Sequence, residues 1–285
     1  MSKQIRALRV PDLKEKKVRG EKITALTAYD TTIAALLDRA GIDIVLVGDS
    51  LGTVILGYDT TLPVTLEMMV HHTRAVSRGV LRALVVADMP FLTYQVSLPA
   101  TLRNAGRLIQ EGGASAVKVE GAGSVLKSVR HLVDVGIPVM GHLGLTPQKV
   151  HTLGGHRPQA CKPDEVTQLL TDAVALENVG IFALVLESIP DEVALEVTSR
   201  LSIPTIGIGA GPGCDGQILV TYDAFGLFDS FVPPFVKRYA SLANTILDAT
   251  GNYIEDVRKG RFPVPRTTPS SPSKNSKSEL IEEEP

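Results

Sequence analysis

The run Ile44-Val45-Leu46-Val47-Gly48-Asp49-Ser50 decides the fold. Four consecutive apolar residues end abruptly in a glycine, a carboxylate and a hydroxyl. A strand apolar at every position is one covered on both faces, as in a parallel sheet flanked by helices. The pattern returns in Ala83-Leu84-Val85-Val86-Ala87-Asp88, Ala116-Val117-Lys118-Val119-Glu120, Pro138-Val139-Met140-Gly141-His142 and Ala183-Leu184-Val185-Leu186-Glu187. Each of these strands delivers, at its C-terminal end, a residue that can bind a metal or move a proton.

Around them the chain alternates. A first strand, Ile23 to Ala28, ends at Tyr29-Asp30. Asp30 or Thr31 can cap the next segment, where Ile33, Leu36, Leu37 and Ala40 recur at helical spacing until Gly41 stops it. Further helices are expected near Leu66–Arg78, Ala100–Gln110, Ser124–Val135, Asp164–Asn178 and Asp191–Leu201. Later strands are Pro204–Ile208 and a weaker Ile218–Thr221, and a final helix runs over Phe235–Arg258. Residues 11–18 read as a short polar helix, a plug under the fold.

Eight strands alternating with helices in about 240 residues predict a single α/β domain, a (β/α)8 TIM barrel over residues 1–262. The rival, an open doubly wound sheet, carries a Gly-x-Gly-x-x-Gly turn after its first strand, and none stands here. Residues 263–285 turn to Pro, Ser, Thr and Lys and then Glu, a composition that predicts a disordered tail.

Composition excludes several classes of function. Of 285 residues, 44% are apolar and 21% charged, and the net charge of −2 offers no basic field for nucleic acid or an anionic membrane. The two cysteines, Cys161 and Cys214, match no metal finger or disulfide framework. The first residues lack the apolar segment of a signal peptide, and no 18-residue apolar run exists, so a cytoplasmic location is expected.

In a barrel, side chains alternate inward and outward, and active sites gather where strands run into their following loops. By that parity Val45, Val47 and Asp49 share a face, as do Leu84, Val86 and Asp88, and as do Lys118 and Glu120. Three carboxylates, Asp49, Asp88 and Glu120, then converge at one mouth, where they repel unless protonated or bound to a cation. Oxygen ligands suit Mg2+, which leaves positions for water or a chelating α-keto acid. Lys118 can add positive charge at the ketone oxygen or pair with a carboxylate. Glu187 is the candidate general base, and His142 a hydrogen-bonder to substrate. Each residue alone also has a plain reading, as helix cap, solvent-facing lysine or structural histidine. His71-His72 is expected on a partly solvated helix face. Gly207 to Gly213 resembles a phosphate-cradling loop in composition, or serves tight packing at the rim. Ser50 to Thr65 and Leu143 to Pro163 are long enough to be lids or binding loops.

Beyond these readings, the chain resembles the ketopantoate hydroxymethyltransferase family over roughly residues 3–260. The resemblance is carried by Thr27-Ala-Tyr-Asp30, Gly48-Asp-Ser-Leu-Gly52, Gly57-Tyr-Asp-Thr-Thr-Leu-Pro-Val-Thr65, His72-Thr-Arg74, Val85-Val-Ala-Asp-Met-Pro-Phe91 and Asn104-Ala-Gly-Arg107. It continues through Glu111-Gly-Gly-Ala114, Val117-Lys-Val-Glu-Gly121, Pro138 to Gln148, Ala183 to Glu187 and Ile203-Pro-Thr-Ile-Gly-Ile-Gly-Ala-Gly211. It implies a Mg2+-dependent barrel enzyme moving a one-carbon unit from 5,10-methylenetetrahydrofolate to 3-methyl-2-oxobutanoate. Carried onto this sequence, it implies Asp49, Asp88 and Glu120 as metal ligands. It implies that Asp49, Ser50, Asp88 and Lys118 contact the keto acid, and that Glu187 accepts the proton. It also implies a large homo-oligomer, commonly a decamer. Thr53, His156 and Pro234 depart from the family's usual Met, aromatic residue and Lys. The competing expectations are a phosphoenolpyruvate mutase or isocitrate-lyase-like barrel, and a non-catalytic barrel that senses a small acid. The lyases use a lid cysteine, and no Lys-Lys-Cys-Gly-His-like setting surrounds Cys161.

Overall fold

The computed structural model describes residues 6–229 and 232–264. They belong to two compact units, one ending at Ser241 and the other beginning at Leu242. In the first, α1 (Val10–Val18) leads into β1 (Ile23–Thr27), α2 (Thr31–Ala40), β2 (Ile44–Val47), a short α3 (Leu51–Val54) and α4 (Leu66–Gly79). There follow β3 (Leu84–Asp88), α5 (Leu98–Gln110), β4 (Ala116–Glu120), α6 (Leu126–Asp134) and β5 (Val139–Gly144). The chain continues through a short α7 (Val150–Leu153), α8 (Pro163–Asn178), β6 (Ala183–Glu187), α9 (Asp191–Arg200), β7 (Thr205–Ile208), β8 (Gly216–Leu219) and α10 (Thr221–Ala224). The strands form a closed barrel in chain order, β1 to β8, with every neighbouring pair parallel. The expected (β/α)8 architecture is what the chain adopts.

Two apolar layers follow from the pleat. Ile23, Ala25, Ile44, Leu46, Leu84, Val86, Ala116, Met140, Ala183, Val185, Ile206 and Ile218 fill the barrel interior. Their sequence neighbours, such as Val45, Val85, Val117 and Leu184, pack outward against the helices. Caps place those helices as the sequence suggested. Asp30 accepts from the Ile33 amide at 2.9 Å to start α2, and Gly41 ends it in the left-handed region at φ 91°.

The expected plug is real. Leu13 of α1 is fully buried in the same cluster as the barrel interior. Lys17 Nζ donates to the Thr198 carbonyl, the Ile203 carbonyl and Asp215 Oδ2 at 2.9, 3.0 and 2.9 Å, while Lys16 reaches Asp43 Oδ2 at 3.0 Å. Asp43, Ile203 and Asp215 precede β2, β7 and β8, so α1 closes the N-terminal end of the barrel and leaves the opposite end for chemistry.

Two elements lie clearly apart from expectation. The eighth strand lies at Gly216–Leu219 rather than Ile218–Thr221, because Thr221 turns away: its amide donates to Thr27 Oγ1 at 3.0 Å and its hydroxyl to the Thr27 carbonyl. Gly216 enters the strand where a Cβ would lie 2.4 Å from the Ile23 carbonyl oxygen, a closeness only glycine allows. Helix does not begin at Phe235. The Tyr239 amide instead donates to the Ala224 carbonyl at 2.7 Å, and Phe235 packs over Gly209.

The second unit holds α11 (Leu242–Arg258), followed by Phe262, whose ring meets that of Tyr253 edge-on at 5.8 Å. The tail expected over 263–285 lies, beyond residue 264, outside the described residues. Among the described residues no helix is long and apolar enough to cross a membrane.

Candidate active site

At the open end of the barrel, the ends of β3 to β6 present Asp88, Lys118, Glu120, His142 and Glu187 on the inward parity of Val86, Ala116, Met140 and Val185. Register sets them side by side, with Asp88 opposite Lys118 and Glu120 opposite His142.

Asp49 arrives by another route. Val45 and Val47 face the helices, whereas Ile44 and Leu46 face the interior, so the parity expected to carry Asp49 inward is corrected. β2 ends at Val47, Gly48 takes the next inward position, and the turn into α3 swings Asp49 back over the mouth. A Cβ on Gly48 would stand 2.8 Å from Ser50 Oγ and 3.5 Å from Asp88 Oδ2, so the turn closes against the site itself. The Asp49 amide donates to Asp88 Oδ2 at 3.0 Å.

The mouth is continuous. Lys118 Nζ lies 2.9 Å from Asp88 Oδ1, 3.8 Å from Glu120 Oε1 and 3.2 Å from His142 Nδ1. His142 Nδ1 is 3.6 Å from Glu120 Oε1, and its Nε2 is 3.1 Å from Glu187 Oε2. Ser50 Oγ shares a 2.8 Å hydrogen bond with the Tyr29 hydroxyl, and His72 Nδ1 donates to the Tyr29 carbonyl at 2.7 Å. All seven candidate residues are thus brought to one end of the barrel, and His72 serves as a support for Tyr29. The glycines after β7 are accounted for by packing: a Cβ on Gly211 would strike Asp191, and one on Gly209 would strike Phe235.

Four carboxylates here face two basic groups in a buried place, and the electrostatics follow. Burial, then the charges of Asp88 and Glu120, push the Asp49 carboxyl well above its ordinary value. Burial raises Asp88 as well, against the pull of Lys118. For Glu120, burial is outweighed by contact with His142 and the Lys118 charge, and its pKa falls. Burial would neutralise Lys118, but Asp88, Glu120 and Asp49 hold it charged. Burial and Lys118 oppose charge on His142, yet contact with Glu120 and Glu187 raises it to about 9. Excess negative charge in a desolvated site calls for a proton or a further cation.

Two residues that sequence reasoning missed complete the site. Gln148, in the turn after β5, donates its backbone N–H to Glu120 Oε2 at 3.0 Å and its side-chain amide to Asp49 Oδ2 at 2.8 Å. The Tyr94 hydroxyl donates to Gln148 Oε1 at 2.7 Å and accepts from the Glu120 amide at 3.1 Å. Gln148 closes the Pro138–Gln148 stretch and lies within the Leu143–Pro163 loop flagged by its length, its only signals; Tyr94 had none.

Among the described residues, no three His, Cys, Asp or Glu side chains form a metal cage by themselves. Lys118 Nζ stands between Asp88 Oδ1 and Glu120 Oε1. The donors present are nevertheless hard: Asp88 Oδ1 and Glu120 Oε1 are buried with the Lys118 ammonium 2.9 and 3.8 Å away, and Asp49 lies beside them. Such an open oxygen set fits a divalent cation such as Mg2+ that draws its remaining ligands from water or substrate.

The sequence profile described as ketopantoate hydroxymethyltransferase matches residues 7–265. The chain belongs to the ketopantoate hydroxymethyltransferase family. The 3-methyl-2-oxobutanoate hydroxymethyltransferase of Moorella thermoacetica is 56% identical over 254 residues, covering 89% of this chain and 94% of that protein. That of Geobacter sulfurreducens is 52% identical over 259 residues, covering 91% and 97%. Among solved structures, a phosphonopyruvate hydrolase complexed with oxalate and Mg2+ superposes with a TM-score of 0.59 over 90% of this chain and 92% of that one. At 13% identity that likeness concerns the fold alone.

Proposed function

We infer that the chain is a 3-methyl-2-oxobutanoate hydroxymethyltransferase of pantothenate biosynthesis. It takes its one-carbon unit from 5,10-methylenetetrahydrofolate and gives 2-dehydropantoate. The observation that carries this reading is the family match over residues 7–265, a span that includes every charged group of the barrel mouth.

In this reading Asp49, Asp88 and Glu120 hold Mg2+, supported by the buried oxygens Asp88 Oδ1 and Glu120 Oε1, which have only charged neighbours, and by the excess negative charge. When bound, the cation supplies Lewis-acid charge for the ketone oxygen of the keto acid. Ser50, Lys118 and His142, with Asp49 and Asp88, orient the substrate. The Lys118 ammonium places fixed positive charge where oxyanion charge develops, the kind of preorganisation that lowers a barrier without reorganisation. Glu187 removes the single C3 proton, and the C3 electron pair forms the new carbon–carbon bond to the methylene carbon of the folate. Both carbon–nitrogen bonds of that carbon break, and one water supplies the hydroxyl. The two folate nitrogens take up the C3 proton and the remaining water proton, leaving tetrahydrofolate. His142 steadies the Glu187 carboxylate from 3.1 Å.

The protein is taken to work in the cytoplasm and as a homo-oligomer, a decamer by family likeness. Supporting association, α11 has no buried residue and exposes Ile246, Leu247, Tyr253 and Ile254. The lyase alternative uses a lid cysteine. Here Cys161 is exposed and its amide donates to Glu165 at 3.1 Å, a helix-entry role.

The test is product formation from 3-methyl-2-oxobutanoate and methylenetetrahydrofolate with and without EDTA. Product that depends on the metal is expected. Failure to form 2-dehydropantoate overturns the reaction, and undiminished turnover in EDTA overturns the metal assignment.

A further inference from the structure

Each of the three carboxylates assigned to the metal is tethered by the protein through one oxygen and leaves the other out of that bond. Asp88 Oδ2 accepts from the Asp49 amide, Glu120 Oε2 from the Gln148 amide, and Asp49 Oδ2 from the Gln148 side chain. Two of these three tethers therefore come from one residue, itself only 4% exposed.

The orientation of the Gln148 amide is fixed by its surroundings. Its Nε2 donates both to Asp49 Oδ2 and, at 3.0 Å, to the Met89 carbonyl, which can only accept. Its Oε1 faces the Tyr94 hydroxyl. That hydroxyl already accepts from the Glu120 amide, and its own proton goes to Oε1 at 2.7 Å in preference to the more distant Glu120 carbonyl at 3.3 Å. Tyr94 is 1% exposed and pinned at its carbonyl by Thr101 Oγ1 at 3.2 Å and Ser128 Oγ at 2.9 Å. A flipped amide would set oxygen against both the Asp49 carboxylate and the Met89 carbonyl. The network therefore has one low-energy arrangement, running Tyr94 to Gln148 to Asp49, with the Gln148 backbone taking Glu120 in parallel.

We propose that Gln148, locked by Tyr94, is a positioning residue that aims the Asp49 and Glu120 carboxylates at a shared divalent cation. The proposal rests on the metal reading of the mouth. Partners that orient metal ligands through their second oxygen lower the reorganisation needed on binding, and their removal typically weakens affinity about 10- to 100-fold.

The experiment titrates the metal-free, full-length protein with Mn2+ and follows free Mn2+ by electron paramagnetic resonance. Gln148→Met keeps the unbranched shape and the backbone N–H to Glu120 but deletes the bond to Asp49. Tyr94→Phe keeps the ring and frees the amide to flip. Both variants are expected to raise the Mn2+ dissociation constant, Gln148→Met by about 10- to 100-fold and Tyr94→Phe by less. Both should also recover kcat toward the wild-type value at saturating metal. A merely structural role would lower the number of binding sites and leave the affinity of the folded fraction alone, and that result overturns the proposal. So do dissociation constants within about twofold of wild type. If Gln148→Met does not fold, Tyr94→Phe decides. A wild-type chain that binds no Mn2+ removes the metal site and the positioning role together, whereas wild-type binding with unaffected variants removes the positioning role alone.

Discussion

His142 Nε2 stands 3.1 Å from Glu187 Oε2, so the proposed base is held against a ring one strand away rather than against another carboxylate. Protonated or in the tautomer favoured by the nearby Lys118 ammonium, His142 carries a proton on Nε2 facing Glu187. The contact holds the carboxylate in place as an ion pair with the imidazolium that Glu120 and Glu187 favour.

Glu187→Gln should therefore abolish exchange of the C3 proton of 3-methyl-2-oxobutanoate with solvent deuterium, a loss of about 10²- to 10⁴-fold for a missing general base. Mn2+ binding should survive. Nuclear magnetic resonance of the keto acid in D2O, without folate, reads this directly. Exchange at the wild-type rate would remove Glu187 from the base role.

His142→Gln should slow the same exchange by a smaller factor, about tenfold, because the base remains but loses its orientation. The double variant with Glu187→Gln should be no slower than Glu187→Gln alone, since residues acting as a unit are non-additive. Additive losses would mean that His142 acts on the substrate independently of Glu187.

Lys118 is the buried cation nearest Asp88, so Lys118→Met should leave that carboxylate uncompensated and cost roughly 3–5 kcal/mol in metal-free protein. A bound divalent ion restores positive charge in the same place and stabilises the folded state by mass action. Mg2+ should thus raise the melting temperature of Lys118→Met more than that of the wild type. Equal responses to Mg2+ would separate Lys118 from the cation site.

How much of this was legible depended on which physics acted locally. The apolar runs at β2 to β6 showed the parallel barrel, because burial on both faces leaves its mark residue by residue. Asp88, Lys118, Glu120, His142 and Glu187 were legible as strand ends for the same reason. Asp49 was found although the parity argument for it failed: Val45 and Val47 face the helices, and only the turn at Gly48 returns the carboxylate to the mouth. Gln148 and Tyr94 were not legible, since a glutamine in one loop and a tyrosine in another acquire meaning only when tertiary folding joins them. The start of α11 was missed at Phe235 because the Tyr239 amide pairs with Ala224, far back in the chain, and a local pattern cannot see that bond.

Asp223, buried at the end of α10, has its carboxyl raised from 3.8 to about 6 by burial, against the pull of Arg238. The sign of its effect follows. A folded pKa above the unfolded one means that the folded state holds the proton more tightly, so stability falls as pH rises from about 4 to about 6 and the penalty stays above that. Discounted for the water that still reaches this near-surface turn, the penalty is about 1–2 kcal/mol. Asp223→Asn should be more stable than wild type at pH 7 and no more stable at pH 3.5, as read by urea unfolding at both values. A gain of equal size at both pH values would show that charge is not its origin.

The plug helix offers a test of the division between the two ends of the barrel. Leu13 is fully buried among the interior residues at the N-terminal end, and the mouth lies at the other end of the strands. Leu13→Ala leaves a cavity beneath the barrel and should cost about 2–5 kcal/mol, measured by urea unfolding. Sites that share no partners behave nearly independently, so kcat and KM of the folded variant should stay within about twofold of wild type. A large fall in kcat with the protein still folded would mean that packing under the barrel is transmitted through the strands to the carboxylates at their ends. In that case α1 would be part of the machinery that positions them, and the separation of a stabilising end from a catalytic end would fail for this chain.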